Sequence, residues 1–460
     1  MSFTRDALPA DFVIGSATAA YQIEGSPTAG GRGPSIWDDF TTVPGAIADG
    51  STGEPADDHY NRAGEDIALM AGLGLDAYRF SISWSRIQPD GTGPANAEGV
   101  AFYRRLAEEL IAQGITPYAT LYHWDLPSAL EAKGGWLARE TADRFAEFAR
   151  VTVEALGDLV THWITLNEPW CSAFLGYASG VHAPGRRLGS EASHAAHHLL
   201  LGHGRAVAAI REVAPTATVG VTLNLYSVRA ATESDADRDA ARRIDGLQNR
   251  LFLDPVLRGS YPRDVLDDLG ETAWFDEQPM TDAVEIAAAV DFLGINYYSR
   301  HTVRAGAGSD GSLAAGDASS NPGSEFVEMV DTGAPKTQMG WEVHPDGLLD
   351  VLRMANALAP SMPLYVTENG SAYDDAVVDG AVDDLDRRSY LEAHLAVCAA
   401  AVDEGLPLRG YFAWSLMDNF EWAYGYTRRF GLVYVDYATQ QRTVKTSGRW
   451  LAGLLGGSLA

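Results

Sequence analysis

Eight strand-like stretches alternating with helix-like ones constrain this chain more than any other feature of its sequence. The strand-like runs cover residues 12–18, 77–84, 115–124, 162–167, 219–224, 291–298, 363–367 and 409–416. They are short, carry many β-branched and aromatic residues, and are bounded by turn formers. Between them apolar residues recur at helical spacing. Tyr103, Leu106, Leu110 and Ile111 share one face over about 96–114, with Asn96 placed to cap that helix and Gly114 to end it. Further helices are expected over 59–72, 145–156, 193–213, 235–254, 344–358, 385–403 and 445–454. Strands separated by helices predict a parallel sheet, and eight such units predict an α/β fold of the (β/α)8 TIM-barrel type. A barrel of this kind needs about 250 residues. Much of the 460-residue chain must therefore lie in loops, among them 26–58 and 304–335. No internal repeat and no linker interrupts it, so residues 1–460 read as a single domain.

Functional residues of such barrels sit at the carboxyl ends of the strands. Here those ends carry Arg79, His123, Trp124, Asn167, Glu168, Asn224, Asn296, Tyr298, Glu368 and Trp414. Core packing alone would use Val, Ile and Leu. Two ends close on a glutamate. The run 162–168 is stopped by Pro169, which lacks an amide hydrogen. The run 363–368 leads to Gly370, expected to supply a turn. One glutamate alone is most often half of an ion pair. Two across a barrel mouth suit glycosidic-bond cleavage, in which one protonates the leaving oxygen and the other attacks carbon or activates water. A gap of about 5–5.5 Å gives retention and about 6.5–9.5 Å gives inversion; sequence spacing leaves both open. Trp124, Trp170, Trp341, Trp414 and Trp422, at or beyond the same strand ends, offer indole faces for the C–H faces of sugars.

The charge balance excludes other classes. Lys and Arg number 34 against 62 Asp and Glu, a net charge of −28. Such a surface repels phosphate backbones and anionic lipid, so neither nucleic acid nor membrane is an expected partner. Two cysteines, Cys171 and Cys398, make no disulfide framework. The N-terminal residues show no basic-then-apolar leader, and no apolar run reaches bilayer length. A soluble, cytoplasmic protein is expected, with monomer and homo-oligomer equally open.

Residues 165–169 (Thr-Leu-Asn-Glu-Pro) and 365–370 (Tyr-Val-Thr-Glu-Asn-Gly) resemble the two signature motifs of the family 1 glycoside hydrolases, the β-glucosidase family. Ordered similarity continues through 12–25, 78–84, 122–127, 292–298, 414–422 and 430–436. The resemblance implies a retaining β-glucosidase that removes a terminal β-linked glucose, or a galactose or fucose, from small glycosides and cello-oligosaccharides. No metal or organic cofactor is implied. Glu168 would be the acid/base and Glu368 the nucleophile, with Arg79, Asn296 and Tyr298 in support. Asn167 would hold the 2-hydroxyl. Gln22, His123, Glu421 and Trp422 would bind other hydroxyls, and Trp414 would be the floor under the ring. Trp124 and Phe430 would complete the sugar site, and Trp341 would lie under the aglycone, with Trp170 and Asn224 as weaker candidates.

Two other readings compete. The 6-phospho-β-glycosidases of the same family usually carry Ser at the position of Glu421, with Lys and Tyr where this chain has Arg428 and Phe430. A carboxylate at 421 argues against a sugar phosphate. A non-catalytic sugar-binding barrel usually lacks one of the two carboxylates, and both are present. Three further signals read as structural. Residues 306–311 fit a dinucleotide fingerprint but lie in a polar Gly/Ser-rich segment with no helix after them. His194, His197, His198 and His203 share a helix without a zinc-binding pattern. Cys171 reads as a small buried apolar residue.

Overall fold

The computed structural model describes residues 3–306 and 319–459. Eight parallel strands close into a barrel: β1 (Val13–Ala17), β2 (Ala77–Ser81), β3 (Thr116–Tyr122), β4 (His162–Asn167), β5 (Thr218–Asn224), β6 (Phe292–Asn296), β7 (Leu364–Asn369) and β8 (Leu408–Trp414). Neighbours in sequence are neighbours in space, and β8 closes on β1 with Val13 opposite Gly410 and Ala17 opposite Trp414. This is the barrel expected from the alternation.

The lower barrel is filled by rings. Tyr118 of β3 stacks on His162 of β4 at 4.3 Å and meets Phe412 of β8 edge-on at 5.1 Å. Phe292 of β6 packs edge-on against Tyr365 of β7 at 5.2 Å. Gly220 on β5 makes room, because a Cβ there would lie 2.5 Å from the Phe292 ring. With this floor occupied, the open volume lies at the carboxyl end of the strands.

Several expected elements differ in detail. Trp84 is not the end of a strand: β2 stops at Ser81, and Trp84–Ile87 forms a helical turn with Trp84 buried against Phe148. Asn96 occupies the N-cap position of helix Ala97–Ala112, yet its amide donates to the carbonyls of Gly30 and Arg86 instead of capping. The expected 235–254 helix is interrupted. Asp235–Asp245 passes through a wider turn at Gly246–Arg250 before Leu251–Arg258. In that turn Asn249 pairs with both backbone groups of Tyr226, accepting from its N–H at 3.0 Å and donating to its carbonyl at 2.9 Å. A hairpin of Val433–Asp436 with Gln441–Val444 was not anticipated. Within the 304–335 segment, Val327–Met329 pairs antiparallel with Arg300–Ala305. The fingerprint-like glycine run, beyond Gly306, lies outside the described residues. Among the described residues no helix is long and apolar enough to cross a membrane.

Candidate active site

The two glutamate-bearing strands lose regular pairing just before their carboxylates. Pairing of β4 with β5 slips between Ile164 and Asn167, and pairing of β7 with β6 slips between Val366 and Glu368. Such bulges re-aim side chains at the rim of a barrel. Glu168 then takes a left-handed conformation, φ 45°, so the chain turns into the helical segment that follows Pro169. Its backbone N–H stays bonded to the Thr222 carbonyl of β5 at 3.0 Å. Trp124 and Trp422 are also left-handed, at φ 77° and 48°. Three non-glycine residues in this region, all on one cavity wall, store strain of about 1–3 kcal/mol each. Gly370 does not have the positive φ expected of a turn glycine. Its small size is needed because a Cβ would lie 1.7 Å from the Trp414 carbonyl.

Both glutamates open onto a cavity of about 330 Å³, within the range of small-molecule sites. Its wall includes His123, Trp124, Tyr298, Trp341, Trp414, Glu421, Trp422 and Phe430, all expected from the sequence, and Trp170. Arg79 and Asn296 hold the carboxylates from outside the wall, and Asn167 links the two. Arg79 Nη1 donates to Glu368 Oε1 at 2.6 Å, and its Nη2 donates to Asn167 Oδ1 at 2.6 Å. The Tyr298 hydroxyl donates to Glu368 Oε2 at 2.7 Å. Asn296 donates to Glu168 Oε1 at 2.7 Å and to Asn167 Oδ1 at 3.0 Å. Asn167 in turn donates to His123 Nε2 at 3.0 Å.

These partners separate the two acids. Burial raises the pKa of both. At Glu368 the Arg79 guanidinium opposes it, helped by the Tyr298 hydroxyl, so of the two Glu368 is the one whose charge is supported. Among the described residues no cation bonds to Glu168, and the Arg79 charge reaches it only as a weaker pull. Burial, and then repulsion from Glu368, push it up to about 8. Two carboxyls driven apart by their surroundings are the pattern of an acid and a nucleophile.

Glu421 stands on the loop after β8. Its N–H is bonded to the Gly425 carbonyl at 2.7 Å. Below it, Gln22 donates to the Phe420 carbonyl and to Asn419. Farther along, buried Asp418 pairs with Lys445 and Arg429 at 2.5 and 2.7 Å. Burial, and then repulsion from Glu368 and Glu168, push Glu421 up to about 8 against the pull of the Arg428 charge. His123 is held neutral by burial and by the Arg79 charge.

Gln22 Oε1, His123 Nδ1 and Trp170 Nε1 are buried with no partner among the described residues. His123 and Trp170 line the cavity, so their free atoms are open to a ligand there, whereas Gln22 is not part of the wall. Asn224 is buried at the end of β5 and is not part of the wall; Tyr226, two residues on, is. The sequence reading also missed Leu175, Val181, His182, Met339, Ala423 and Tyr424 on this wall. His182 packs against Trp37, Trp124 and Trp422 and had no pattern to mark it. The four histidines of helix Ala192–Val213 bond to unrelated partners: His194 to Glu271, His197 to Asp282, His198 to the Trp136 carbonyl and His203 to Thr165. Among the described residues no His/Cys/Asp/Glu group could hold a metal.

The family model described as Glycosyl hydrolase family 1 matches residues 4–456. Beta-glucosidase A of Thermotoga maritima is 47% identical over 449 residues, which cover 97% of each chain. A bifunctional beta-D-glucosidase/beta-D-fucosidase of Bifidobacterium breve is 46% identical over 96% of each. Among solved structures, the psychrophilic beta-glucosidase BglU of Micrococcus antarcticus superposes with a TM-score of 0.94 at 46% identity, covering both chains completely.

Proposed function

This chain belongs to glycosyl hydrolase family 1, and from that premise we propose residue roles for its retaining β-glucosidase chemistry. It is a glycoside hydrolase that releases terminal β-linked glucose by double displacement. Glu368, ionised beside Arg79, attacks the anomeric carbon. Glu168, which keeps its proton at neutral pH, delivers it to the leaving oxygen. The glycosyl ester removes the Glu368 charge, and with it one of the two forces holding the Glu168 proton. Glu168 then accepts a proton from the water that hydrolyses the ester. The observation that carries these roles is the split between the carboxyls: one bears a guanidinium and a phenol, the other only an amide and a thiol.

Trp414 and His123, stacked with ring centres 5.8 Å apart, offer the sugar an aromatic face. Gln22, His123 and Glu421 supply hydroxyl partners. Trp341, set against Tyr298 and Phe430, faces the aglycone. We place cello-oligosaccharides among the substrates on the strength of this aromatic mouth. Likeness to the Bifidobacterium breve enzyme supports fucosides as well.

Proton NMR of p-nitrophenyl β-glucoside during early hydrolysis tests the reading. β-Glucose should appear first, followed by slow mutarotation. If the α-anomer appears first, a water stands between the carboxyls and Glu368 is not the nucleophile.

The free-enzyme pH profile gives a second test. Transfer from substrate requires Glu168 protonated and Glu368 ionised. As pH rises through about 8, Glu168 loses its proton, so kcat/KM should fall on an alkaline limb centred near pH 8. Glu421 titrates in the same range, so the limb must be assigned. In Glu168→Ala acting on 2,4-dinitrophenyl β-glucoside, whose leaving group needs no proton, the limb should disappear. Its persistence would assign it to Glu421.

A further inference from the structure

We propose that the thiol of Cys171 is a positioning group for Glu168, a weak hydrogen-bond partner at the oxygen that carries the transferable proton, and that its weakness sets the pH at which Glu168 titrates. The inference rests on the reading of Glu168 as the acid/base.

The geometry assigns the two oxygens of Glu168 different tasks. Oε1 accepts from the Asn296 amide at 2.7 Å. The other end of that amide, Oδ1, is occupied by the Thr367 hydroxyl at 2.8 Å, which fixes the N–H toward Glu168. Oε1 is therefore an acceptor in both protonation states, and the proton of the acid form belongs on Oε2. The partner of Oε2 is Cys171 Sγ at 3.2 Å. Local backbone sets this contact: the Cys171 N–H donates to the Glu168 carbonyl at 3.0 Å in the first turn after Pro169, placing the thiol beside the carboxyl three residues earlier. Cys171 also faces the cavity.

A thiol is both a weak donor and a weak acceptor. Next to the protonated acid it competes little for the proton, which stays available to the leaving oxygen. Next to the carboxylate of the second step it turns its S–H inward and donates. A hydroxyl at 171 would be a strong donor to the carboxylate and would draw the proton off at lower pH. An alkyl group would supply no donor and would raise the pH of loss. The other charged or titratable groups around this contact are Glu368, Glu421, Arg79, Tyr298, Tyr226 and His123. None of them is replaced in the variants that follow. The thiol itself is not a nucleophile: burial and the carboxylates beside it hold it well above the usual thiol range.

The experiment compares kcat/KM against pH for the parent, Cys171→Ser and Cys171→Val, with p-nitrophenyl β-glucoside and matched melting temperatures. The serine variant should move the alkaline limb down by roughly half a pH unit or more, and the valine variant should move it up by a similar amount. Once Glu168→Ala has assigned the limb to Glu168, limbs that coincide in all three overturn the proposal; if the limb belongs to Glu421, the infrared test decides. Infrared spectroscopy of the unmodified enzyme gives a check independent of folding. The S–H stretch of Cys171 should shift as Glu168 titrates, while that of Cys398, buried on helix Leu385–Asp403, should not. An S–H band indifferent to pH also overturns it. Azide rescue of Glu168→Ala separates the two levels. If rescue succeeds while the limbs coincide, the role of Cys171 fails and that of Glu168 stands; if rescue fails, the role of Glu168 falls first.

Discussion

Glu368→Ala is expected to lower kcat by about 10⁵-fold, with the folded structure retained. The size follows from the kind of step removed. No glycosyl-enzyme can form without the carboxylate, and nucleophile removal in covalent catalysis typically costs several orders of magnitude. The fold should survive because Glu368 is a buried charge whose removal also removes a desolvation cost. The main penalty is the Arg79 guanidinium, which keeps Asn167, the Thr367 carbonyl and Thr120 as partners. A loss of about 3–5 kcal/mol in stability is the expected order for a buried pair that loses one partner, lessened by those remaining bonds. Steady-state turnover of 2,4-dinitrophenyl β-glucoside, beside a thermal melt, measures both quantities. This substrate has a good leaving group, so residual turnover within a hundredfold of the parent would mean that another group attacks carbon. Added formate would be expected to restore activity partly, by placing a small carboxylate where the side chain was removed, with α-glucosyl formate as the transient species.

Much of this site was legible in the sequence, for a physical reason. A barrel strand that ends in a polar residue has nowhere to point it except into the space above the floor. Glu168, Glu368, Asn167, Asn296 and Arg79 all announced themselves in that way. Tyr298 closes the expected 291–298 run and Trp341 was singled out as an indole beyond the strand ends, whereas Glu421 entered through the family resemblance alone. The wall residues that went unseen sit in turns or loops where no period applies. Leu175 belongs to the wide helical segment Cys171–Ser179, whose geometry departs from the 3.6-residue repeat. Val181 and Met339 lie in irregular chain and Tyr424 in the short 3-10 helix Trp422–Thr427; all three are apolar or aromatic, indistinguishable in sequence from packing residues. Tyr226 is presented by a turn that depends on Asn249, a residue 23 positions away held in an interrupted helix. Cys171 was read correctly as buried, but its neighbour was not visible: the left-handed φ of Glu168 brings the thiol and the carboxyl together, and nothing in residue types predicts φ. The same holds for Glu421, whose protonation depends on two glutamates remote in sequence.

Glu168→Ala should separate the two half-reactions. With 2,4-dinitrophenyl β-glucoside the first step needs no protonation, so kcat/KM should change little. The second step loses its base, so kcat should fall by about 10²–10⁴-fold and the glycosyl-enzyme should accumulate. A pre-steady-state burst equal to the active-site concentration would report that accumulation. With an alkyl glucoside, whose leaving oxygen must be protonated, the first step itself should become slow, and kcat/KM should fall by a similar factor. Azide supplies the discriminating observation. It is a nucleophile that needs no base, and truncation at 168 opens space beside the anomeric carbon, walled by Cys171, Tyr226 and Trp170. Turnover of the dinitrophenyl substrate should therefore recover with azide concentration, and the product should be β-glucosyl azide. Retention in that product requires two inversions, one at Glu368 and one by azide. An α-azide would mean a single displacement, and failure of azide to accelerate the variant would mean that the proton-transfer role belongs to another group, with Glu421, whose pKa is likewise pushed up to about 8, as the next residue to replace.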